Sequence, residues 1–154
     1  MKIHFICSGN TNRSRMAEAY LRSKNIKGLE VSSSGIYATH NLNGSLSSYA
    51  RLVLEKAGIL EFASKNWQQT TKEILEDKDL IIFMAQNHFD FCKNNFGYNL
   101  GNYLIWNIKD VDYNPEGDTE EERHFKAMED EEIFKSIVTK VDELISSLNQ
   151  YEKN

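Results

Sequence analysis

Five apolar residues in unbroken succession, Leu80-Ile81-Ile82-Phe83-Met84, constrain what this chain can fold into more than any other feature. A half-solvated strand alternates apolar and polar residues, so a run without alternation is the pattern of a strand covered on both faces. Three further short runs read as strands: Lys2 to Cys7, Leu29 to Ser33, and Asn102 to Trp106. Helical patterns lie between them. Met16, Ala17, Tyr20 and Leu21 share one face, as do Leu46, Tyr49, Ala50, Val53 and Ala57, with Gly58 placed to end the second helix. Thr70 and Glu73 have capping-box spacing before a short helix, and Thr119 and Glu122 repeat it later. The stripe Ile133, Phe134, Ile137, Val138, Val141, Leu144, Ile145, Leu148 predicts a long C-terminal helix. Strands alternating with helices predict an α/β fold, a parallel sheet with helices on both faces. Such sheets bind ligands beyond the carboxyl ends of their strands, so the residues just after each strand carry the search for a site.

The 154 residues show no repeat, low-complexity tract or linker, and are expected to form one domain over 1–154. Two cysteines, Cys7 and Cys92, make no disulfide framework. No apolar run approaches the roughly 20 residues of a membrane helix, and the chain's start runs straight into a strand pattern. A reducing cytoplasm is the expected setting, with no membrane partner. The net charge of −5 conceals a block from Glu116 to Glu132 with nine acids against Arg123 and Lys126. That block reads as a solvated helix face, and no basic stripe suited to nucleic acid is visible.

The loop after the first strand holds the chemistry: Cys7-Ser8-Gly9-Asn10-Thr11-Asn12-Arg13-Ser14, followed at once by a helix face. Gly9 and Asn10 tolerate the backbone angles that turn successive N–H groups toward one centre, an anion-binding nest. The following helix points its positive N-terminus at the same centre. Arg13 can grip two oxygens of an anion with its planar fork, which lysine cannot do. The same field favours the thiolate of Cys7, and the Ser14 hydroxyl can donate to it. The residues from Ser8 to Ser14 thus bind an oxyanion, and Cys7 is aimed at its central atom. Cys-x5-Arg with this Gly and Ser arises by chance in roughly 0.03% of such chains, which favours a built site over coincidence.

The segment Phe5-Ile6-Cys7-Ser8-Gly9-Asn10-Thr11-Asn12-Arg13-Ser14-Arg15-Met16-Ala17-Glu18 resembles the signature of the low-molecular-weight protein tyrosine phosphatases. Weaker echoes continue in Ser32-Ser33-Ser34-Gly35, Leu54-Glu55-Lys56-Ala57-Gly58-Ile59, Asp79-Leu80-Ile81-Ile82-Phe83-Met84 and near Asp110. The resemblance implies a three-layer fold with a four-stranded parallel sheet. It also implies hydrolysis of phosphomonoesters through a cysteinyl-phosphate, with no metal or other cofactor. The expected partners are a phosphorylated protein or peptide as substrate and inorganic phosphate as product or inhibitor.

The leaving group of such a reaction needs a proton donor, worth about 10²–10⁴-fold. The family carries its acid in an Asp-Pro pair after the fourth strand, which assigns the role to Asp110, with Asp112 as second choice. Here Val111 replaces the proline and leaves the loop less preset. By the same resemblance Asn10, Ser14 and Ser33 brace the phosphate loop. Tyr113 lines the substrate slot, with Tyr37 and His40 as its opposite wall. Three further departures stand out. Asn12 occupies the place of a second cysteine that can trap the oxidised nucleophile, which leaves Cys92 as core filler. Arg15 replaces a proline, adding positive charge near the site mouth. Glu61 or Phe62 stands where a bracing histidine is often found, so that support must be built differently.

Thr11 bears on the substrate. Isoleucine is common there in tyrosine phosphatases, whereas threonine is associated with a branch acting on phosphoarginine, and a hydroxyl can hydrogen-bond a guanidinium. Phosphotyrosine is the first reading and phosphoarginine the second. The acidic block would favour basic substrate flanks. An arsenate reductase would need more cysteines to relay a disulfide. A non-catalytic phosphate-binding domain would not need Cys7, Arg13 and the acid together.

Overall fold

A computed structural model describes residues 1–40, 46–97, 101–111 and 117–152. Four parallel strands, β1 (Lys2–Cys7), β2 (Glu30–Gly35), β3 (Leu80–Phe83) and β4 (Tyr103–Ile105), lie in the order β2-β1-β3-β4. The α-helices are α1 (Arg13–Ser23), α2 (Ser48–Lys56), α3 (Lys72–Glu76), α4 (Gln86–Phe96) and α5 (Glu120–Glu152). The expected fold is the observed one: a four-stranded parallel sheet covered by helices on both sides. No helix among the described residues is long and apolar enough to cross a membrane.

Alternation along the strands sorts the core into two halves. Ile3, Phe5 and Cys7 of β1, with Leu80, Ile82 and Met84, face α1, α2 and α5. Ile6, Ile81 and Phe83 face the other way, onto Leu75 of α3 and Phe89 and Cys92 of α4. All four residues of β3 are buried, as its unbroken apolar run requires. The C-terminal stripe behaves likewise, with Ile133, Ile137, Val141 and Leu144 of α5 buried in the larger half.

Among the boundaries that differ from the sequence reading, two turn on polar side chains: the end of β2 and the start of α3. Strand β2 runs on through Ser34 and Gly35, although serine and glycine have little strand propensity. Their hydrogen bonds compensate: His4 reaches Ser32 Oγ and Ser34 Oγ, each at 2.7 Å, and Ser34 Oγ lies 2.6 Å from Thr70 Oγ1. Thr70 is therefore taken, and the cap of α3 falls one residue later, where Thr71 Oγ1 accepts from the Ile74 amide. At the start of α5 the expected reciprocal box is present. The Glu122 amide donates to Thr119 Oγ1 at 3.1 Å, and the Thr119 amide donates back to Glu122 Oε1 at 3.4 Å.

Strand β1 has β2 on one side and β3 on the other, so the chain crosses from β1 to one side and then from β2 back past β1 to the other. This is the switch point of a doubly wound sheet, and its carboxyl end is Cys7.

Candidate active site

Seven of the residues singled out in the sequence line one cavity of about 190 Å³: Cys7, Ser8, Gly9, Thr11, Asn12, Arg13 and Asp110, with Ser47 and Val111 completing the wall. The loop's curvature comes from Asn10, whose φ of 57° is the left-handed conformation asparagine tolerates. That turn brings the Asn10 amide to 3.3 Å from Cys7 Sγ, while Ser14 Oγ, from the first turn of α1, lies 2.8 Å from the same sulfur. The sulfur is thus flanked by a backbone donor and a hydroxyl at the N-terminus of a helix, surroundings that stabilise negative charge.

A buried frame holds the loop. Asn10 Nδ2 donates to Ser14 Oγ at 2.8 Å and to Ser33 Oγ at 2.9 Å, and Asn10 Oδ1 accepts from the Gln68 amide at 2.8 Å. Ser33 in turn donates to the wholly buried Glu18, whose other oxygen accepts from Arg22 and from the Ser64 amide. Backbone amides of Gln68 and Ser64 thus join the frame, which contains no histidine at Glu61 or Phe62. Arg15 corrects an expectation: it is 1% exposed and does not reach the site mouth. Its guanidinium lies behind the loop, donating to the carbonyls of Asn10 and Ser64.

Arg13 is 4% exposed and already oriented, with Nη1 donating to the Ile108 carbonyl at 2.9 Å and Nη2 lying 3.3 Å from Asp110 Oδ2. Asp110 Oδ1 accepts from the amide of Val111 at 2.9 Å, which orients the carboxyl with valine, not proline, at 111. Its side chain remains about half exposed, within reach of a ligand.

Tyr37 and His40 stack on one another, centroids 5.5 Å apart, after β2. They do not line the cavity, but the Tyr37 amide donates to the Ser8 carbonyl at 2.8 Å. Tyr113 and the alternative acid Asp112 lie outside the described residues. Cys92 is buried on α4, and burial pushes its thiol up to about 12, which makes it a poor nucleophile.

Three contributors escaped the sequence reading. Ser47 caps α2 by accepting from the Ala50 amide, and its own amide donates to the Thr11 carbonyl at 2.8 Å, joining α2 to the loop. Gly35 ends β2 so close to the loop that an added Cβ would lie 2.6 Å from the Ser8 carbonyl oxygen and 2.7 Å from the Asn10 nitrogen. Asp130 of α5 is buried, and its Oδ1 accepts from Asn12 Nδ2 at 3.1 Å. Burial, with the neighbouring charge of Asp110 adding, raises that carboxyl to about 6 against the opposing Asn12 bond. One signal was available for it: Asp130 occupies the apolar-stripe position three residues before Ile133.

Together these groups give one cavity a backbone donor, a guanidinium, a sulfur and a carboxyl, a set whose chemistry suits a tetrahedral oxyanion. A family model described as low molecular weight phosphotyrosine protein phosphatase matches residues 2–153. A protein-arginine-phosphatase of Geobacillus stearothermophilus is 36% identical over 95 residues, 62% of this chain and 62% of that one. The low molecular weight protein-tyrosine-phosphatase PtpB of Staphylococcus aureus is 32% identical over 97 residues, 63% of this chain and 66% of that one. The aligned stretch thus spans less than two thirds of either relative. Among solved structures, the YwlE arginine phosphatase from Geobacillus stearothermophilus superposes with a TM-score of 0.78 at 26% identity, covering 98% of this chain and 94% of that one.

Proposed function

Because the chain belongs to the low molecular weight phosphotyrosine protein phosphatase family, we propose that it hydrolyses phosphorylated side chains of proteins through a cysteinyl-phosphate, with phosphotyrosine as substrate. The observation that carries this reading is one cavity wall holding Cys7, Arg13 and Asp110. In the first step Cys7 Sγ attacks phosphorus, the bond from phosphorus to the leaving oxygen breaks, and Asp110 gives that oxygen its proton. In the second, Asp110 takes a proton from water as the water oxygen attacks phosphorus. The sulfur–phosphorus bond breaks, returning the thiolate and releasing inorganic phosphate. The loop amides and the Arg13 fork stabilise the charge on the equatorial oxygens throughout, and Ser14 stabilises the departing thiolate.

Phosphoarginine is the second reading, and Thr11 is the observation that favours it. Thr11 lines the cavity, a place from which a hydroxyl can meet a guanidinium, and the relative from Geobacillus stearothermophilus is named a protein-arginine-phosphatase. The chemistry is shared, with nitrogen in place of oxygen as leaving atom. The match over residues 2–153 supports one phosphatase domain, and two free cysteines suit a reducing cytoplasm.

Hydrolysis of aryl phosphates and of phosphotyrosine and phosphoarginine peptides tests both levels. Cys7→Ser and Arg13→Ala should each reduce turnover by at least about 10³-fold. Asp110→Asn should slow a poor leaving group about 10²-fold and a good one far less. Equal slowing of the two would remove Asp110 from the acid role, and turnover persisting in Cys7→Ser would overturn the mechanism. The peptide with the larger kcat/KM identifies the substrate.

A further inference from the structure

His88 lies in the first turn of α4 and is wholly buried. Its Nδ1 is 3.0 Å from the Ala85 backbone nitrogen, and its Nε2 is 2.9 Å from Ser8 Oγ. The direction of both bonds follows from chemistry. A backbone N–H only donates, so Nδ1 must be the acceptor, and a neutral imidazole then carries its single hydrogen on Nε2. Burial first, and the charge of Arg13 second, push His88 down to about 3, so the ring is neutral at any ordinary pH. Ser8 Oγ therefore receives a hydrogen bond from His88, and the hydrogen of its own hydroxyl must point elsewhere. Ser8 also lines the cavity, beside Cys7, Gly9 and Arg13.

We propose that His88 is a positioning residue: by donating Nε2–H to Ser8 Oγ it commits the Ser8 hydroxyl as a hydrogen-bond donor to an oxyanion held in the loop after β1. A serine hydroxyl without such a neighbour rotates freely and offers either a hydrogen or a lone pair. With its lone pair engaged by the imidazole, it offers the hydrogen, the half that phosphate needs. The inference rests on the phosphatase reading for its ligand but not for its geometry.

Two measurements test it. In nitrogen-15 NMR of the intact protein, His88 should show hydrogen on Nε2 and a bare Nδ1, without titrating between pH 5 and 8. A ring that titrates there, or carries hydrogen on Nδ1, would overturn the proposal whatever the protein's activity. In competitive inhibition by inorganic phosphate, Ser8→Ala and His88→Gln should each weaken binding by roughly ten- to a hundredfold, the worth of one hydrogen bond to a charged acceptor. In the Ser8→Ala background, His88→Gln should add nothing, because its effect passes through the hydroxyl. Additive losses would assign His88 to general support and contradict the proposal. Should His88→Gln not fold, Ser8→Ala alone decides, since unchanged phosphate affinity there rejects the donor role. If the wild type binds phosphate without turnover, the phosphatase reading fails while the donor assignment stands.

Discussion

Gly35 sets how closely β2 can approach the loop after β1. Nothing about its backbone angles demands glycine; space does, since a methyl group would meet the Ser8 carbonyl oxygen and the Asn10 nitrogen at distances that real Cβ atoms do not reach. Backbone cannot rotate out of the way as a flexible side chain can, so the loop itself would have to move. Gly35→Ala should therefore destabilise the fold by about 1–3 kcal/mol, a usual cost of overpacking, and weaken phosphate inhibition as well. Urea unfolding and phosphate inhibition read the two effects. Full affinity with only a stability loss would mean that the loop's shape does not depend on this contact. The other residue-scale determinants share this economy of side chain. Asn10 turns the chain at φ 57° and braces Ser14 and Ser33, while Arg13 reaches both the Ile108 carbonyl and Asp110.

At the scale of elements, α5 serves two ends. Its later turns close the core through Ile137, Val141 and Leu144, while Asp130 presses a carboxyl against Asn12 in the loop after β1. Among the described residues, Asn12 Oδ1 and Asp130 Oδ2 are buried without a hydrogen-bond partner. The pH dependence follows from the direction of the shift. Asp130 stands at about 6 in the fold against 3.8 for the ordinary carboxyl. Below the ordinary value both folded and unfolded chains hold the proton, and the fold bears no penalty. As pH rises toward 6 the unfolded chain ionises first and stability falls, reaching a full cost of about 2–3 kcal/mol above 6. Asp130→Asn keeps the acceptor for Asn12, supplies a donor and removes the titration. Its stability relative to wild type should rise between pH 4 and 6 and then level. A difference that stays flat from pH 4 to 7 would show that Asp130 is not held protonated. Of the acidic block around it, Glu120, Glu121 and Glu122 are exposed in the first turn as a solvated face requires, whereas Asp118 is buried and both its carboxylate oxygens accept from Lys126 Nζ at 2.8 Å.

At the scale of the molecule, what the sequence disclosed was whatever depends on local order: strand patterns, the C-terminal stripe, the capping box at Thr119, and a nucleophile and arginine six residues apart on one loop. What it concealed depends on segments distant along the chain. Glu18 stands in the segment after Cys7 with nothing nearby in sequence to announce that Ser64 and Ser33 bond it. Arg15 reads as charge at the mouth until the Asn10 and Ser64 carbonyls bury it. Strand β2 extends through serines because His4 and Thr70 complete their hydrogen bonds from other elements. The sheet's switch point, at the carboxyl end of β1, is what gathers these distant groups around Cys7. The central claim is that phosphate passes through that sulfur. Rapid quenching of Asp110→Asn with an aryl phosphate, followed by peptide mass mapping and phosphorus-31 NMR, tests it most directly. The account predicts phosphate bound through sulfur at Cys7, formed within the first turnover. Hydrolysis without such an intermediate, or phosphate attached at another residue, would contradict it.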